Sequence, residues 1–178
     1  VKALARVLLL ASILLLGLPE LSRYAAERRL RVATESLRAT LERPPEPVAA
    51  RAELEAISAQ AAATATALPG DPRPWVVAGS AALLSGRAER ALEFYRTAFA
   101  TGERAEIDLN LGRAYAALGR PESAGAAVLR AVWISPALLA TLPSQPAAQL
   151  SASIARLEQA LAAGQLAEPP PLPPEERR

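Results

Sequence analysis

The chain aligns with itself. Placing Gly79 on Gly112 also places Gly86 on Gly119, Ala91 on Ala124 and Ala98 on Ala131, a constant offset of 33 residues. A period of this length marks a supersecondary unit that stacks on copies of itself, which constrains the fold more tightly than composition does. Each unit reads as a helix carrying apolar residues (Trp75, Ala78 and Ala82, then Leu111, Tyr115 and Leu118) and closed by Gly86 or Gly119. A second helix follows over Ala88 to Thr101 or Pro121 to Ile134. Glycine takes the left-handed backbone that ends a helix. Pro121 suits a first helical turn, where its missing N–H has no partner to lose. Gly79 and Gly112 fall mid-helix, at a cost of up to about 1 kcal/mol each against alanine. Close approach of Ala91 or Ala124 across a tight hairpin is the expected offset.

One hairpin cannot bury its apolar face alone, and about three stacked units are normally needed. Glu46 to Leu68 is expected to supply a degenerate helix pair or a single helix in front. Behind, Pro146 to Ala163, with Leu150, Ile154, Leu157 and Leu161 on one face and Gly164 just beyond, is expected to cap the stack.

At these positions the chain resembles the tetratricopeptide repeat family, in the style of a membrane-anchored bacterial member. The first unit, 72–103, supplies Trp75, Gly79, Gly86, Ala91, Tyr95 and Ala98, with Ala78 and Ala82 in place of Leu and Tyr and Glu103 in place of the closing Pro. The second, 105–136, supplies Leu111-Gly112, Tyr115, Gly119, Ala124, Ala131 and Pro136, with Asp108 and Val128 as departures. The resemblance implies an all-α fold, a short solenoid of helical hairpins over 48–164. It also implies a concave groove, lined by the first helix of each unit, that holds a partner's peptide or helix. Transferred by position, that groove presents Arg73, Val76, Ser80 and Leu83, then Glu106, Leu109, Asn110, Arg113 and Ala116. Val76 and Ser80 stand where some members carry a Lys/Asn carboxylate clamp, so that clamp is not implied. Arg113 and Asn110 still offer donors to a carboxylate or backbone.

The N-terminus reads as a second module. Val7 to Pro19 has no charge over thirteen residues, with Lys2 and Arg6 before it and Glu20 after. Thirteen helical residues cover about 20 Å of a hydrocarbon layer about 30 Å thick. Val1 to Leu21 is long enough to span if Lys2 and Arg6 snorkel to the headgroups. Residues 1–22 are therefore expected to be a transmembrane anchor, with Leu8, Leu9, Leu10, Ile13, Leu14, Leu15 and Leu16 in lipid. A signal sequence has the same charged and apolar regions, but the LPELSRYAAERR that follows lacks a clean small-x-small cleavage site. Arg23, Arg28, Arg29, Arg31 and Arg38 after the run favour a cytoplasmic body. The short basic N-terminus favours an exported one, and the reading adopted is a single-pass bacterial inner-membrane protein with its body in the periplasm.

Residues 23–43 read as a juxtamembrane amphipathic helix, with Leu30, Ala33, Leu37 and Leu41 in a stripe packed on the protein's own body and an i,i+4 pair from Glu27 to Arg31. Residues 44–47, PPEP, form a stiff hinge. The tail, 165–178, is proline-rich and expected to be disordered.

Composition narrows the chemistry. With no Cys and no His, disulfides, zinc sites of the usual ligand types and every thiol or imidazole mechanism are excluded. A formal charge of +2, without a concentrated basic stripe, argues against nucleic acid. The bias to Ala, Arg and Pro with one Lys fits a GC-rich genome. The only aspartates are Asp71, placed to cap the helix beginning near Arg73, and Asp108. Glu89 and Glu93 read as a solvated face, and the glycines follow helix ends rather than a phosphate loop. The expectation is a non-catalytic adaptor or scaffold without cofactor or metal, binding lipid through its N-terminal helix and a protein partner embedded in the membrane. Its alternatives are a permanent accessory subunit of a membrane assembly, or the repeat-bearing end of a larger membrane enzyme.

Overall fold

The computed structural model describes residues 2–43, 46–165, 170 and 173, with side chains from Leu18 onward except at Gln145. Among the described residues the chain is all helix and turn: α1 (Lys2–Glu42), α2 (Pro47–Thr64), α3 (Arg73–Leu84), α4 (Ala88–Ala100), α5 (Ala105–Ala117), α6 (Pro121–Ile134) and α7 (Ser144–Ala162). Short 3-10 turns lie at Ala65–Ala67 and Pro136–Thr141. Each helix from α1 to α6 packs on the next, and α3 also touches α1 and α5. The short connections make neighbours antiparallel, so α1, α3 and α5 form one layer of the stack.

The 33-residue offset is realised element by element. Gly86 and Gly119 carry φ of +82° and +69°. After each, the next N–H reaches back five residues, Arg87 to the Ala82 carbonyl and Arg120 to that of Tyr115, both at 2.9 Å. These bonds close the helices with carbonyls that would otherwise lack partners. Gly164 ends α7 the same way, with φ of +68° and Gln165 N–H donating to the Ala160 carbonyl at 2.8 Å. Pro121 opens α6, and Asp71, one residue before the N-cap Pro72 of α3 and so not itself the cap, accepts through Oδ1 from the Arg73 backbone N–H at 2.9 Å.

Gly79 and Gly112 are needed where two helices meet; Gly79 faces Tyr95 in place of the expected Ala91, while Gly112 faces Val128 together with the expected Ala124. A Cβ on Gly79 would lie 2.6 Å from the Tyr95 ring, and one on Gly112 would lie 2.6 Å from Val128 Cγ2 and 3.2 Å from the Ala124 carbonyl. Tyr95 and Val128 are themselves 33 residues apart. The two glycines thus face equivalent side chains, each one helical turn beyond Ala91 or Ala124, and at Gly112 the Ala124 backbone also approaches closely.

The front of the stack is built by α1. Ala26, Leu30, Ala33, Leu37 and Thr40 are buried along one face, while Leu41, assigned to the stripe from sequence, is 58% exposed. The buried positions follow a 4,3,4,3 spacing that continues to Thr40 instead of Leu41, and Thr40 is accommodated because its hydroxyl donates to the Ser36 carbonyl at 3.0 Å. Ala33 and Leu37 share the core with Leu54, Ile57 and Ala61 of α2. Residues 23–42, expected as a helix packed on the body, and α2, expected as a degenerate pair or a single helix in front of the repeats, therefore make a first hairpin together. Of the hinge, Pro44 and Pro45 lie outside the described residues; the helices on either side pack on each other.

Ser58 Oγ then donates to the Ala78 carbonyl at 2.9 Å, tying this hairpin to α3 in a buried setting. No helix among the described residues is long and apolar enough to cross a membrane. The anchor side chains Leu8, Leu9, Leu10, Ile13, Leu14, Leu15 and Leu16 lie outside the described residues. In the tail, Pro170 and Pro173 are described and both are fully buried.

Candidate functional site

Two of the cavities along the stack contain residues assigned to the groove from sequence. The first, about 460 Å³, lies between α1, α3 and α5 and is lined by Glu27, Leu30, Arg31, Thr34, Glu35, Arg73, Val76, Val77 and Glu106. Leu30, Val76 and Val77 give it an apolar floor, and its rim is charged. Arg73 organises that rim. Its Nη2 reaches Glu27 Oε1 at 2.7 Å, and its Nε meets Asp71 Oδ2 at 2.9 Å. Glu27 therefore pairs across the layer with α3, not along its own helix with Arg31. The hydrogen bonds to Asp71 and then Glu27 push the Arg73 guanidinium above its ordinary pKa. Partial burial pushes the Asp71 carboxyl up, but hydrogen bonds from the Arg73 side chain and backbone outweigh it and hold that group below the usual carboxylate range.

The second cavity, about 620 Å³, lies between α5, α6 and α7, with Leu109, Arg113 and Ala116 on one wall and Leu142, Pro146 and Leu150 on another. Its origin is readable against the first unit. Leu92 and Tyr95 are buried there, whereas the equivalent positions in the second unit hold Gly125 and Val128, both lining the cavity. A Cβ on Gly125 would meet nothing within 4 Å. Missing side-chain volume on α6 leaves a space that α7, which touches α6 over few residues, does not fill.

The residues assigned to a groove from sequence divide between these sites. Arg73, Val76 and Glu106 line the first cavity; Leu109, Arg113 and Ala116 line the second. Three line neither. Ser80 is hydrogen-bonded at 3.1 Å to the Tyr95 hydroxyl, Leu83 packs against the core, and Asn110 Oδ1 accepts from Arg113 Nη1 at 3.1 Å. Burial pushes the Tyr95 hydroxyl pKa up despite that hydrogen bond. The α1 contribution (Glu27, Leu30, Arg31, Thr34, Glu35) was not assigned from sequence. Its signal was present in the Leu30, Ala33, Leu37 spacing, which has the period of an inner helix without its glycine.

A separate polar cluster lies behind α5. Asp108 is fully buried, and neither carboxylate oxygen has a hydrogen-bond partner among the described residues. Arg130 Nη2 donates to Glu103 Oε2 at 2.8 Å, and Arg130 Nε donates to Glu103 Oε1. The hydrogen bond from Arg130 lowers the Glu103 pKa and raises that of Arg130. Burial, followed by the neighbouring Glu103 charge, pushes Asp108 up to about 7, with Arg130 pulling the other way.

No protein-family model, curated protein or solved structure matches this chain.

Proposed function

We propose that the chain is a non-catalytic adaptor of the tetratricopeptide-repeat kind, a short solenoid tethered by its N-terminal helix to the bacterial inner membrane. Its body, in the periplasm, holds a protein partner and helps assemble a membrane or envelope complex. The single observation that supports partner binding most directly is that six of the nine groove residues assigned from sequence line a cavity, Arg73, Val76 and Glu106 in the first and Leu109, Arg113 and Ala116 in the second. Each combines an apolar floor with charged or amide groups at its edge, as a site for a helix or extended segment requires. Confinement at the bilayer raises the effective concentration of a membrane-embedded partner. Lys2 and Arg6 before the apolar run support the exported orientation.

The second reading is a permanent accessory subunit. It is favoured by α1, which exposes Leu18, Leu21, Tyr24 and Val32 on its outer side, at 60%, 66%, 72% and 45%. Photo-crosslinking in native membranes from Arg31 in the first cavity and Arg113 in the second, followed by sizing in detergent, tests both. An adaptor yields one protein adduct from the cavities and separates on extraction. A permanent subunit co-migrates stoichiometrically and crosslinks from Tyr24. Capture of lipid alone at both cavity positions removes the groove assignment.

A further inference from the structure

The second cavity is walled mainly by hydrocarbon, from Leu109 of α5, Val128 and Leu129 of α6, and Leu142 and Leu150 beyond them. At about 620 Å³ it falls within the range of sites that take small molecules. Among the described residues the only charged group in its lining is Arg113. One N–H of that guanidinium goes to Asn110 Oδ1 at 3.1 Å, on the same face of α5, which steadies the fork and leaves it further donors. No carboxylate lines this cavity, whereas the first sets Glu27, Glu35 and Glu106 against Arg31 and Arg73. The second therefore favours an anion, and the first does not.

The walls also bear on what carries that anion. They are helices, whose backbone groups pair internally, and no strand edge exists among the described residues to receive an extended peptide. On the α7 wall Ser153 is already engaged: its hydroxyl donates to the Gln149 carbonyl and accepts from Arg156 Nη2, both at 3.1 Å. An extended polypeptide laid here would leave backbone groups unpaired, whereas a hydrocarbon chain has none to pair. Room for it comes from Gly125, where a Cβ would meet nothing within 4 Å and where the first unit buries Leu92.

We infer that the cavity between α5, α6 and α7 binds a hydrocarbon chain ending in an anionic group, the chain against Val128, Leu129 and Leu150 and the anion on Arg113. A fatty acid and an anionic phospholipid share that chemistry. The inference rests on the second cavity's being a binding site, and it leaves the protein partner to the first.

The full chain in phosphatidylcholine nanodiscs, photolysed with dodecanoic acid carrying a diazirine at its methyl end, tests this by peptide mapping. Adducts are expected at Val128, Leu129 or Leu150. At equal bilayer content, unlabelled dodecanoic acid is expected to compete at least about tenfold better than dodecanol, the difference a charge-assisted hydrogen bond makes. Arg113→Gln is expected to abolish that preference. Gly125→Leu, which fills the groove, is expected to lose the adducts while melting no lower than the parent, so that the loss is not unfolding. A second probe, phosphatidylglycerol with the diazirine at the end of one acyl chain, separates the sources. Adducts from it point to a bilayer lipid, and adducts from the free acid alone to a carboxylic acid. Adducts confined to residues 1–21, equal competition by acid and alcohol in the parent chain, or groove adducts that survive Gly125→Leu overturn the inference. So does a protein adduct from Arg113 that dodecanoic acid fails to displace. The adaptor reading outlives any of these results if Arg31 still captures a protein, and falls if it captures none.

Discussion

The two repeat units share a backbone plan but place their bulk on opposite helices. In the first, the fully buried positions of the inner helix beyond Trp75 are small (Ala78, Gly79, Ala81 and Ala82) and the outer helix buries Leu92, Phe94 and Tyr95. In the second, the inner helix carries Ile107, Leu111 and Tyr115, and the outer one carries Ala127, Val128 and Ala131. Close packing is sensitive to summed volume across an interface, not to which side supplies it. A repeat stack can therefore hold its spacing while exchanging large and small partners between layers. Tyrosine makes the point at atomic scale: Tyr95 fills the space over Gly79 from the outer helix, whereas Tyr115 enters from the inner helix and accepts from Arg96 Nη2 at 3.2 Å.

Exchanging residues between units breaks this complementarity, and each swap puts in a residue that the other unit uses. Tyr95→Val is expected to destabilise by about 3 kcal/mol, by leaving a cavity above Gly79. Val128→Tyr is expected to cost about 2 kcal/mol by overpacking against Gly112 and its neighbours. Denaturant melts of both variants check the comparison; two neutral swaps would mean that the units tolerate either arrangement.

Asp108 sharpens the same contrast. Its equivalent in the first unit, Trp75, stacks on Phe94 with ring centroids 5.9 Å apart, while Asp108 is buried beside Glu103 and Arg130. An acid whose folded pKa is raised from 3.8 to about 7 binds its proton more tightly in the native state. Between those values the native state holds more protons than the unfolded one, so its contribution to stability falls as pH rises, and the loss is complete above about 7. Asp108→Asn is expected to be more stable than the parent by on the order of 2 kcal/mol at pH 8, with the gap closing toward pH 4. Stability measured across that range checks the sign.

Smaller effects follow at the cavity wall and rim. Gly125→Leu is expected to stabilise by about 1 kcal/mol, since it removes a mid-helix glycine from open space. It should also suppress crosslinking from Arg113, because it restores the bulk that Leu92 supplies in the first unit. Arg73→Ala is expected to cost no more than about 1 kcal/mol and to lose that difference at high salt, because its ion pairs are solvent-exposed.

Much of this was legible in the residues. Helix ends follow from Gly86, Gly119 and Gly164, which satisfy orphan carbonyls through a local backbone conformation. The packing partners of Gly79 and Gly112 were less legible, since which outer-helix residue lies opposite depends on how far one helix slides along the other. The groove was read as one surface because equivalent positions suggest a continuous face. Gly125 and Val128, with α7 set off from them, divide it, and no local rule forecasts missing volume on a neighbouring helix.

The period of 33, the helix ends at Gly86, Gly119 and Gly164 and the absence of thiol and imidazole side chains were decided by the sequence alone, because they depend on near-neighbour backbone preferences and on which side chains exist. Tertiary structure decided that α1 forms the first hairpin, that Glu27 reaches Arg73, that Asp108 is buried beside Glu103, and that Pro170 meets Arg130. Each of these joins residues brought together only when the layers close, where burial and charge are set by the whole stack.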